Sequence, residues 1–64
     1  MKRLVFEIID FSNEKSGSEI VEVITDRTPE WTKEQYLRNK SNTVMNLISE
    51  TETNEINSSW KKIS

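Results

Sequence analysis

The sequence predicts a small α+β domain of β-β-α-β order: an antiparallel hairpin, one helix packed on it, and a short C-terminal strand. Three observations predict it. Two segments near the N-terminus are dense in β-branched and aromatic residues, a helix-start signal follows them, and the tail alternates weakly through Trp60 to Ile63. No repeat, Gly/Ser linker or low-complexity block divides the 64 residues, so they are read as a single domain over 1–64.

Leu4-Val5-Phe6-Glu7-Ile8-Ile9-Asp10-Phe11 and Ile20-Val21-Glu22-Val23-Ile24-Thr25 are the two strands. Between them the polar run Ser12 to Ser18 holds the only glycine, Gly17, which can take a positive φ in the turn. This connection is too long for a two-residue turn, so loop length leaves the strand register open.

The stretch Thr28-Pro29-Glu30-Trp31-Thr32-Lys33-Glu34-Gln35 offers two helix starts. Thr28 can cap with Pro29 at the first helical position, or Thr32 can cap with Gln35 completing a capping box. From there Leu37, Val44, Met45 and Ile48 fall near one helical stripe, flanked by Trp31, Tyr36 and Leu47, which predicts a helix reaching Ile48. Its interior is poor in helix formers, with Asn39, Ser41, Asn42, Thr43 and Asn46, so tertiary contact has to support it. Ser49 to Asn54 reads as a polar loop. Glu55 to Ile63 reads as the last strand, with Ile56 and Trp60 on one face.

Alternation gives the hairpin two apolar sides. Leu4, Phe6 and Ile8 point one way and Val5, Ile9 and Phe11 the other; Val21 and Val23 oppose Ile20 and Ile24. One helix covers one face. The other has to meet a loop or the tail, a second copy or a different protein, because a contiguous exposed apolar patch is an interaction signal, unless a bulge or irregular register buries both sets within one molecule.

Composition removes most other function classes. With no histidine and no cysteine, the commonest general base, the commonest metal ligands and disulfide staples are all missing, which argues against an enzyme and assigns no catalytic, cofactor or metal residue. Glu50, Glu52 and Glu55 do not match a calcium loop. The net charge of −2 supplies no cationic field for nucleic acid, although residues 27–40 sum to +2 and place Arg27, Lys33, Arg38 and Lys40 together. No apolar run is long enough for a signal peptide or a membrane span, so the expected location is cytoplasmic, with no membrane contact.

The function expected on these grounds is non-enzymatic protein binding, by an inhibitor or regulator that occupies a surface of a larger protein. A homodimeric structural module is the alternative, and nucleic-acid binding ranks third. The chain has no alanine and 20 Ser, Thr and Asn residues, a composition with the flavour of accessory proteins of AT-rich bacterial viruses. That reading puts the protein in a host cytoplasm. The residues expected at a protein interface are Val5, Ile9 and Phe11 on the second sheet face, and Trp31, Tyr36 and Arg38 around the helix.

Overall fold

The computed structural model describes residues 1–11, 17–56 and 60–63. It contains strand β1 (Lys2–Asp10), strand β2 (Gly17–Thr25), helix α1 (Pro29–Leu37), strand β3 (Thr43–Glu52) and strand β4 (Lys61–Lys62). The four strands form one antiparallel sheet in the order β3-β1-β2-β4. The α+β class, the hairpin, the single helix and a short C-terminal strand all stand.

β1 and β2 pair in one unbroken register, from Lys2 opposite Thr25 to Asp10 opposite Gly17. Gly17 opens β2 as a paired strand residue and takes no positive φ, so the turn role expected of it is corrected. The rest of that turn lies outside the described residues.

Thr28 is the helix cap. Its Oγ1 accepts from the Trp31 N–H at 3.1 Å, its carbonyl accepts from the Thr32 N–H at 3.0 Å and the Thr32 hydroxyl at 2.8 Å, and Pro29 occupies the first turn. The competing start at Thr32 fails because that hydroxyl is buried inside the helix, bonded backwards to Thr28.

The helix expected to reach Ile48 ends at Leu37. Asn39 adopts a left-handed backbone with φ 66°, a conformation asparagine tolerates better than most residues, and the Lys40 N–H closes the turn on the Leu37 carbonyl at 2.9 Å. Thr43, Val44, Met45, Leu47 and Ile48 then belong to β3, which pairs with the far side of β1 from Asp10 opposite Thr43 to Lys2 opposite Glu52. Spacing alone could not separate the two readings, because this short apolar run fits one side of a helix as well as a strand. What decides is pairing along the edge of β1 that β2 leaves free, which also sets Met45 opposite Ile8 in the core.

The loop expected over Ser49 to Asn54 is likewise strand as far as Glu52. Lys2 Nζ holds Glu50 Oε2 at 2.9 Å across that pairing, and the Thr53 N–H reaches the Met1 carbonyl at 3.1 Å. The register shifts at Val5/Phe6: Leu47 faces Phe6 and Ser49 faces Val5, leaving Ile48 as the extra residue of a bulge. The strand expected over Glu55 to Ile63 shrinks to Lys61–Lys62, opposite Glu22 and Val21. Ile56, expected on one face with Trp60, is 84% exposed, while residues 57–59 lie outside the described residues.

The core lies on one face of the sheet. Leu4, Phe6, Ile8, Val21, Val23 and Met45 are buried there, with Tyr36 and Leu37 of α1 packed over them. Removing each such side chain from water contributes roughly 1.5–3 kcal/mol, which in so short a chain makes every one of them matter.

Candidate binding surface

Cross-strand partners share a face, so the register assigns each residue to a side of the sheet. Trp60 precedes Lys61, which faces Glu22, and therefore stands on the core side. Its ring lies 5.8 Å from Phe6 and 4.9 Å from Tyr36, the latter in an edge-on arrangement. The helix and the C-terminal tryptophan thus cover the same face.

The opposite face carries Val5, Glu7 and Ile9 from β1, Ile20, Glu22 and Ile24 from β2, Val44 and Asn46 from β3, and Lys61 from β4. Among the described residues no helix or strand packs over it. Ile9 is half-buried between Ser18 and Val44, and Val44 is 43% exposed. Phe11 follows Ile9 by two residues on that side, held by its N–H to the Asn42 carbonyl at 2.8 Å, and is 57% exposed. The other end is closed by charge. Arg3, opposite Ile24, places Nε 2.7 Å from Glu22 Oε1 and donates from Nη2 to Glu55 Oε1 at 2.7 Å. Ile24 beneath this cluster is buried.

The six residues expected at an interface therefore divide between two sides of the molecule. Val5, Ile9 and Phe11 lie together on the open face, joined by Ile20 and Val44. Val44 had been assigned to the helix stripe, and only the strand pairing moves it beside Ile9. Trp31, Tyr36 and Arg38 are on or beside α1, across the sheet from them.

Each of those three already has local company. The Arg27 guanidinium lies 4.9 Å over the Trp31 ring. Tyr36 is held between Trp60 and Lys40, whose ammonium sits 4.8 Å over the Tyr36 ring and donates to the Tyr36 carbonyl at 3.1 Å. Burial raises the Tyr36 phenol above its usual range, and the nearby negative charges of Glu19 and Asp10 add to the shift. Arg38 ends the helix beside a depression that it lines with Glu34, Gln35 and Leu37.

A cleft of about 340 Å³ lies at the hairpin end of the core side, lined by Ile8, Asp10, Glu19, Tyr36, Lys40 and Lys62, among others. Its charges are matched in part, with Lys62 Nζ 3.5 Å from Glu19 Oε2. The cations of residues 27–40 do not converge on it: Arg27 stacks on Trp31, and only Lys40 reaches the cleft. Among the described residues no group of three or more acidic side chains is arranged to hold a metal ion, and no helix is long and apolar enough to cross a membrane. No protein-family model, curated protein or solved structure matches this chain.

Proposed function

We propose that the protein is a small non-enzymatic binding module, an accessory inhibitor or regulator that occupies a surface of a larger protein through the sheet face opposite α1. One observation carries this reading: Phe11 and Val44, 57% and 43% exposed, flank Ile9 on a face that α1 and Trp60 leave uncovered. Val5 and Ile20 extend the apolar patch along the hairpin. Trp31, Tyr36 and Arg38 stand outside this contact, on the core side.

A second copy of the chain is the competing occupant, favoured by the outer edge of β3, which pairs with β1 alone. Against it, Glu50, Glu52 and the bulge at Ile48 are devices that discourage strand addition.

The test combines light scattering with capture from a bacterial lysate by three forms: wild type, a Phe11→Ser/Val44→Thr double variant, and Trp31→Ala. The expected result is a monomer whose captured protein is lost by the double variant and kept by Trp31→Ala, with all three folded by circular dichroism. A tight dimer that captures nothing, or capture indifferent to the double variant, overturns the reading.

A further inference from the structure

At the centre of the open face stands Glu7, and its surroundings specify the partner more narrowly. Its cross-strand neighbours are Ile20 and Asn46, and Val5 and Ile9 flank it along β1. It is half-buried and makes no ion pair among the described residues. The other carboxylate on the face, Glu22, is already held by Arg3. We propose that this face docks a protein segment presenting one Arg or Lys, flanked by apolar side chains, with its cation on Glu7. The proposal rests on the reading of this face as the binding surface.

Physical chemistry favours this occupant over two others. Covering Val5, Ile9, Ile20 and Val44 around Glu7 takes water from its carboxylate, and a desolvated carboxylate without a partner is costly, so a wholly apolar partner is penalised. A second copy stacked with Glu7 over Glu7 adds like charge, whereas an Arg or Lys carries an apolar stem for the side chains around Glu7 and a cation for the carboxylate.

The experiment titrates the isotope-labelled full chain by NMR with three short peptides, acetyl-Ile-X-Ile-amide, where X is Arg, Gln or Glu. The expected result is movement of the Val5, Glu7, Ile9, Ile20 and Val44 amides, with the Arg peptide about fivefold tighter than the Gln peptide. Glu7→Gln, nearly the same shape, should abolish that preference. Equal binding of the Arg and Gln peptides, or a preference that survives Glu7→Gln, overturns the proposal while leaving the face as a docking surface. Absence of movement on this face with every peptide up to about 10 mM, a range that admits binding of only about 3 kcal/mol, counts against both readings.

Discussion

The Trp60 indole meets the Tyr36 ring edge-on at a centroid distance of 4.9 Å, so the C-terminal segment is anchored to the helix on the core side of the sheet. This contact decides which face stays open. The helix and the tryptophan share one face, and the face of Val5 and Ile9 is covered by neither.

Trp60→Ala should therefore destabilise the fold by about 2 kcal/mol, less than for a fully buried tryptophan because the ring keeps some contact with water. Chemical denaturation followed by the fluorescence of the remaining Trp31 measures it. A change under about 0.5 kcal/mol would mean that the Tyr36 and Phe6 contacts carry no stability.

The strand assignment of residues 43–52 gives a second prediction. A helical stripe makes Met45 and Ile48 equivalent, whereas in β3 Met45 faces Ile8 in the core and Ile48 is the bulged residue, 54% exposed. Met45→Ala should cost about 3 kcal/mol and Ile48→Ala less than about 1 kcal/mol. Urea unfolding of the two variants reads the difference directly, and equal losses would restore the helical stripe.

Alkaline pH should expose the burial of Tyr36. Its folded-state pKa is raised above 10.0, so the folded chain holds a proton that the unfolded chain has released, and stability falls as pH rises through that window. Below the unfolded value the contribution is complete. Lys2 titrates in the same region, raised from 10.5 chiefly by its hydrogen bond to Glu50, and has the same sign. Tyr36→Phe separates them: the variant should lose less stability than wild type as pH rises above about 10. Because Tyr36 is the only tyrosine, tyrosinate absorbance follows its titration without interference, and a midpoint at or below 10.0 would refute the burial argument.

The hairpin was legible because Leu4, Phe6 and Ile8 alternate with Val5, Glu7 and Ile9 in a segment too β-branched for a good helix. The Thr28-Pro29 start was legible as one of two choices, since cap residues act through their nearest neighbours. Val44 to Ile48 was not. Its apolar spacing fits a short helix as well as a strand, and the partner that settles the matter, β1, lies more than 30 residues away in sequence. The candidate surface inherits the same limit: Val5, Ile9 and Phe11 follow from alternation, but Val44 joins them through a pairing that no local signal announces.

By itself the sequence determined the α+β class, the two-sided apolar hairpin and the absence of histidine and cysteine chemistry, because these depend on residue type and on periods of a few residues. The tertiary structure alone decided that β3 adds to β1, that Trp60 joins α1 on one face, and that Glu7 stands between Ile20 and Asn46 on the open face. Those outcomes depend on which distant backbone edge and which side of a sheet a segment reaches. That is a competition among long-range contacts, and the neighbours of a residue along the chain carry no record of it.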